Sequence, residues 1–285
     1  KHKIIDAPFI SQMPDYPTGC ESVATVMALQ HAGVHKTVLS FINSYLYRTS
    51  LPFDPNISFG GDPRDTRNSY GCYSPVIKKA LDKCFQSPEI SFYKAVELKN
   101  VSLQQLCSDY IDKDIPVIMW ATIDMKPWYN GDHWYYNGKK IQWIAPEHCL
   151  LLVGYDDEHY IFNDPLKSKP FTYYKKAAVE QAYAGLFSQA VIIYMDRKEA
   201  ISKVCGMKAK NILSTFSMIN EHLLSNKFEF DQQKKVFGSE YVDIYMTISI
   251  GMNFMPTSTS AIYNIKDGRI VIEAQRPGLS LTPGV

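Results

Sequence analysis

The chain has 285 residues, 46% hydrophobic and 21% charged, with a formal net charge of +1 and no Lys/Arg block. That balance is typical of soluble globular proteins with one large or two smaller domains, and it argues against nucleic acid or an anionic membrane as the main partner. No apolar run approaches the roughly 20 residues of a membrane-spanning helix. The longest candidate, Cys149 to Gly154, is strand-sized. The chain opens at Lys1 rather than at an initiator methionine, and the expectation is a mature or trimmed form whose leader is gone.

In chain order, Thr18 to Gly33 has the pattern of a helix, with Thr18 and Glu21 spaced as a capping box and Gly33 as a stop. Phe59 to Tyr73 is loop chemistry, dense in Gly, Pro, Asp and Asn, and a helix follows at Ser74 to Phe85. Ile115 to Thr122 is a buried strand by its β-branched and apolar run. A long aromatic loop, Trp128 to Lys140, comes next. Two strands, His148 to Tyr155 and Tyr160 to Asn163, flank the acidic turn at Asp156 to Glu158, and Gln189 to Met195 is a further strand.

A domain boundary is expected at Asp196 to Lys203, dividing the chain into 1–199 and 200–285. Beyond it Lys208 to Asn226 has helical period, Val242 to Phe254 alternates as a half-buried strand, and Ile265 to Ile270 is a hairpin with Asp267-Gly268 at its tip. The expected second domain is a small α+β unit of unassigned role.

Cys20 stands at the start of the first helix, where free N–H groups and the positive dipole end favour a thiolate. A small apolar filler at a helix start is the plain alternative. Gly19 beside it leaves room for a substrate backbone. Gln12, eight residues upstream, carries an amide that could join the Cys20 N–H in holding an oxyanion. A cysteine nucleophile needs an imidazole, and that imidazole needs an acceptor to fix its tautomer. Of seven histidines, His148 is best placed, at the edge of an apolar strand. Folding its hairpin about Asp156 brings Asp164 opposite it, an inference that a one-residue slip would undo. Pairs of this kind also occur as plain surface hydrogen bonds.

The segments Q-M-P-D-Y-P-T-G-C-E-S at 12–22, F-G-G-D-P-R at 59–64, P-V-I-M-W-A-T at 116–122, E-H-C-L-L-L-V-G-Y-D at 147–156, Y-I-F-N-D-P at 160–165 and Q-A-V-I-I-Y at 189–194 recur in order. Together they resemble the peptidase family-thirty-nine-like proteins of bacteria, relatives of the peptidases that remove double-glycine leaders from bacteriocins, over residues 4 to 196. The resemblance implies an α+β, papain-like cysteine peptidase fold, with the N-terminal helix carrying the Cys and an antiparallel sheet carrying His and Asp. It implies Cys20 as nucleophile, His148 as base, Asp164 as orienter and Gln12 in the oxyanion hole, all four being present. It also implies a peptide or protein substrate and an extracytoplasmic place, secreted or at the cell surface.

Six cysteines include no C-x-x-C pair, so zinc by that pattern is not expected, and no cofactor or other metal is called for. An even count permits disulfides without requiring them. The loop at Gly60, Gly61, Asp62 and Arg64 lacks phosphate-loop spacing and is a structural loop beside the cleft. Trp120, Trp143 and Glu147 are candidates for the cleft wall, although aromatics of this kind also complete cores. Two function classes stay open: a thiol peptidase, or a catalytically idle or acyl-transferring module that uses the same cleft for binding at the cell surface.

Overall fold

The computed structural model describes residues 2–196 and 199, together with the strand backbones 241–246, 259–264 and 269–274. The chain divides into two compact units, Lys1–Tyr194 and Met195–Val285. In the first, the elements run β1 (Lys3–Ile4), α1 (Cys20–His31), α2 (Val38–Ser44), β2 (Arg48–Thr49), β3 (Phe59–Gly60), α3 (Ser74–Cys84), β4 (Tyr93–Lys99), α4 (Leu103–Asp109), β5 (Val117–Thr122), β6 (Tyr129–Tyr136), β7 (Lys139–Ala145), β8 (Glu147–Tyr155), β9 (His159–Asn163), β10 (Thr172–Lys175), α5 (Lys176–Gly185) and β11 (Gln189–Met195).

A seven-stranded sheet in the order β10-β9-β8-β5-β11-β4, with β1 added to β8, is the frame. Its β8 core, His148 to Val153, is buried throughout, as is all of β5. Strands covered on both faces read as continuous apolar runs rather than alternating ones, which is why both segments are legible as strands. Helix α1 packs on β8 and β5, and every residue from Cys20 to Leu29 is buried. Val23, Val26, Met27 and Leu29 are each fully out of water, and each such side chain contributes about 1.5–3 kcal/mol. This helix is central, and its sequence accordingly lacks a polar face.

Two local expectations are corrected and one, the structural loop, is met. The capping box does not form, because α1 has Gly19 at its N-cap with no side-chain cap bond. Thr18 instead turns its hydroxyl to the loop, 2.9 Å from the Asp65 carbonyl, and Glu21 turns inward. The loop itself is structural, since Asp62 holds Arg48 at 2.6 Å and Arg64 at 2.7 Å, while the Pro63 carbonyl accepts from Thr18 N. The aromatic loop is a β-hairpin, β6–β7, that turns at Asn137 and Gly138, both with positive φ. Asn-Gly is the strongest short hairpin signal, and here it lay unread inside a Tyr- and Trp-rich run.

In the second unit, β12 (Tyr241–Met246), β13 (Thr259–Asn264) and β14 (Arg269–Ala274) form an antiparallel three-stranded sheet in that order. Asn264 pairs with Arg269, which closes β13 and β14 about the expected turn. The helix expected at 208–226, the strand beyond Met246 and the turn residues 265–268 lie outside the described residues. No helix among the described residues is long and apolar enough to cross a membrane.

Candidate active site

The segment ahead of α1 is tied to the end of β9. The Asn163 amide donates to the carbonyls of Ala7 and Pro8 at 3.0 and 3.2 Å, and Gln12 N donates to the Pro165 carbonyl at 2.8 Å. Gln12 and Asp164 are thereby neighbours through backbone. Asp164 directly follows β9, and its Oδ1 lies 2.7 Å from His148 Nε2. The two side chains are 2% and 1% exposed, so this is a buried contact and not a surface one.

Asp164 also accepts from the Tyr174 hydroxyl on β10 at 2.7 Å and from Leu166 N at 3.0 Å. Burial alone would raise its pKa, but the hydrogen bond and charge of His148, with Tyr174 and Leu166, outweigh that and hold the carboxyl below its ordinary value. A carboxylate already facing two other donors takes the Nε2–H of the imidazole, which leaves Nδ1 as the nitrogen able to accept a proton. The Tyr174 phenol is pushed up by burial first and by the Asp164 charge second.

The pairing differs in register from the expected one. Leu151 faces Asn163 and Leu152 faces Phe162, with an irregularity before Gly154 faces Ile161. Extended one step, this register sets Asp164 opposite Leu150, and His148 lies two residues further on the same face. Diagonal neighbours on one face remain within reach of long side chains. The even-numbered offset keeps the pair together, where a shift of one would have separated it.

Cys20 is the first residue of α1 and is 6% exposed. Its Sγ donates to Glu21 Oε2 at 3.3 Å, and among the described residues no hydrogen bond joins it to His148. One oxygen each of Glu21 and Glu147 lies within 4.8 Å of that sulfur and of the other. Burial, then Glu21, Glu147 and Cys149, push the thiol up, against a hydrogen bond from the Cys149 backbone. The helix start was expected to lower this thiol. Two carboxyls in a dry site outweigh the dipole. Alternation along β8 sets Glu147 and Cys149 on one face and His148 on the other.

The remaining expected residues divide. Gln12 is 2% exposed, its Nε2 donates to the Pro17 carbonyl at 2.8 Å, and its buried Oε1 has no partner. Gly19 is required for a different reason from the one expected. A Cβ there would sit 2.9 Å from Tyr16 Cβ and 3.1 Å from Pro63 Cβ, so the space is filled by the protein itself. Trp120 is fully buried and donates to the Cys72 carbonyl at 2.7 Å, a core residue and not a cleft wall. Trp143 stacks on Tyr73 at 5.5 Å and lies over Gly71, beside Glu147. Cys20, Cys72, Cys84 and Cys149 are free thiols. His31 contacts the Asp114 carbonyl, and His159 contacts the nearby Asp156.

Residues missed by sequence reasoning are Tyr174 and Cys72, whose roles come from distant pairing that no local pattern announces. Glu21 was read only as a cap.

With this geometry in place, comparison with known proteins is decisive for the family. The Peptidase C39-like family matches residues 4–191. The chain belongs to that family. Its fold is the papain-like one of cysteine peptidases, as in the crystal structure of a candidate C39-like peptidase from Bacillus anthracis, which is 26% identical with a TM-score of 0.60 over 67% of this chain and 97% of that one. Uncharacterized protein YvpB of Bacillus subtilis is 27% identical over 198 residues, 67% of this chain and 76% of its own length. Family and fold support a peptidase-type function.

Proposed function

We propose that this C39-like protein is a cysteine peptidase that hydrolyses a peptide bond with Cys20 as nucleophile, His148 as base, Asp164 as orienter and Gln12 in the oxyanion hole. The observation that carries the reading is the buried His148–Asp164 pair at 2.7 Å, whose free ring nitrogen is Nδ1. A buried imidazole held in one tautomer by a carboxylate with two further donors is arranged for proton transfer.

In the proposed reaction the Cys20 sulfur first leaves Glu21 and turns toward His148, its proton passes to His148 Nδ1, and the thiolate attacks the scissile carbonyl carbon. The carbonyl oxygen becomes an oxyanion, received by the Cys20 N–H, which the first turn of α1 leaves unpaired, and by the second N–H of Gln12 Nε2. As the intermediate collapses, the C–N bond breaks and His148 returns the proton to the departing amine. Water, deprotonated by His148, then releases the acid and restores the thiol. No cofactor enters the scheme.

A second reading, a catalytically idle or acyl-transferring module that binds in the same place, draws on the closed state of the site. Cys20 is 6% exposed and its proton is directed at Glu21 rather than at His148. Digestion of a peptide library by the full chain and by Cys20→Ala separates the two. Cleavage lost in the variant supports the peptidase, and its absence in both supports the binding module.

A further inference from the structure

The proposed reaction leaves Glu21 and Glu147 without a task, yet both are built into the site. Glu21 is fully buried. Its Oε1 accepts from Cys72 N at 2.6 Å, which fixes the carboxyl, and its Oε2 accepts the Cys20 S–H at 3.3 Å. Glu147 Oε1 is buried with no partner. Both glutamates press against Gly71, where a Cβ would fall 2.5 Å from Glu21 Oε1, 3.1 Å from Glu147 Oε2 and 3.3 Å from Trp143. Only a glycine lets the segment before α3 pass this closely, and its φ of +146° independently suits glycine. Trp143, itself 6% exposed, lies against Gly71 beside them.

Among the described residues no lysine or arginine pairs with either glutamate. The titratable groups facing the thiol are Glu21 from α1 and Glu147 and Cys149 from β8, while Cys72 faces Glu21 from the segment ahead of α3. Two adjacent carboxyls in a dry site without a cation cannot both be charged.

We propose that Glu21 and Glu147 are positioning residues that hold Cys20 as a thiol on Glu21, with Glu147 the protonated member and Glu21 the charged acceptor. The inference rests on the reading of Cys20 as nucleophile and adds to it a resting state. In that state the sulfur is turned onto Glu21, and its attack on substrate requires this contact to break. The direction of the shifts agrees. Glu21 is raised to about 7, mainly by burial, and Glu147 is raised well above its ordinary value by burial and then by the Glu21 charge.

The test is the rate of Cys20 alkylation by iodoacetamide across pH, followed by mass spectrometry on the full chain. Glu21→Gln removes the acceptor and its charge and supplies an N–H for the thiolate. Its alkylation rate at pH 7 should rise by about tenfold or more, the equivalent of one unit in the thiol midpoint. Glu147→Gln removes a neutral group and stabilises the Glu21 carboxylate, so the rate should stay at the wild-type value or fall. Opposite responses of two isosteric changes are not expected of a merely structural role. An unchanged or slower Glu21→Gln, or an equal acceleration by both variants, overturns the proposal. If Glu21→Gln does not fold, carboxyl NMR of the wild-type chain decides: one glutamate that releases its proton near pH 7 while a second keeps its proton above that supports it, and glutamates that all titrate in the ordinary range overturn it. Failure of the peptidase reading is separate. Faster alkylation of Glu21→Gln with no peptide cleaved by the wild type keeps the pair and sinks the peptidase, whereas cleavage with unaltered alkylation does the reverse.

Discussion

His148 reaches Asp164 diagonally, Nε2 to Oδ1 at 2.7 Å, beyond the last paired residues of the two strands that carry them. The ladder ends at Leu151 and Asn163, so the contact depends on side chains and on the Tyr174 hydroxyl behind the carboxylate rather than on strand pairing alone.

Asp164→Asn should keep the fold, since the amide oxygen can still accept from Tyr174, and should cut peptide turnover by about 10⁴-fold as in other triads. Steady-state kinetics with circular dichroism checks both. Because the folded carboxyl titrates below its ordinary value, its stabilisation is present above the unfolded pKa and is lost as pH falls through the lowered one. The stability gap between wild type and Asp164→Asn should therefore be widest near neutrality and close in acid.

The glutamate pair has the opposite sign. Glu21 ordinarily titrates at 4.5 and here at about 7, so between those values the folded chain keeps a proton that the unfolded chain has released. Stability falls as pH rises through that window, by on the order of 3 kcal/mol for Glu21. Urea unfolding at pH 5 and pH 7 should show this loss in the wild type and a smaller one in Glu21→Gln. Equal losses would contradict the shift.

Trp143→Ala removes the ring that stacks on Tyr73 and covers Gly71. Large-to-small changes of buried aromatics cost about 3–5 kcal/mol, and a loss of that size is expected in urea unfolding. The opened pocket should also bring water to Glu21 and draw its titration back toward the ordinary range, measurable by carboxyl NMR.

Gly71→Ala places a methyl 2.5 Å from Glu21 Oε1 on backbone whose φ is +146°. The variant should be destabilised, and its Cys20 should alkylate faster because the displaced carboxyl no longer holds the thiol. Wild-type stability and reactivity together would count against the close approach.

Much of this arrangement was legible in the sequence because it is local. The buried runs at Val117–Thr122 and His148–Val153 are apolar enough to be strands in any context, and Cys20 follows a Gly at the head of a helix. The β6–β7 hairpin was hidden because its aromatic composition resembles loop and cleft material, and because the run holds Asn-Gly at both 130–131 and 137–138, of which only the second is the turn. Thr18 and Glu21 have the spacing of a capping box, but the Asp62–Ser69 loop competes for the Thr18 hydroxyl and Cys72 for the Glu21 carboxyl. Partners from 47 to 51 residues away decide both outcomes, and short-range patterns carry no trace of them. The β8–β9 register differs because the turn does not centre on Asp156: Tyr155 already faces Tyr160, and the irregularity before Gly154 brings the offset back to two.

The central claim is that Cys20 is the nucleophile of a peptidase, and the most direct measurement is a peptide-library digest comparing the full chain with Cys20→Ala and His148→Ala. The account predicts defined cleavage products from the wild type and none from Cys20→Ala, with His148→Ala reduced by orders of magnitude at equal folding. Products that persist undiminished in Cys20→Ala would contradict it.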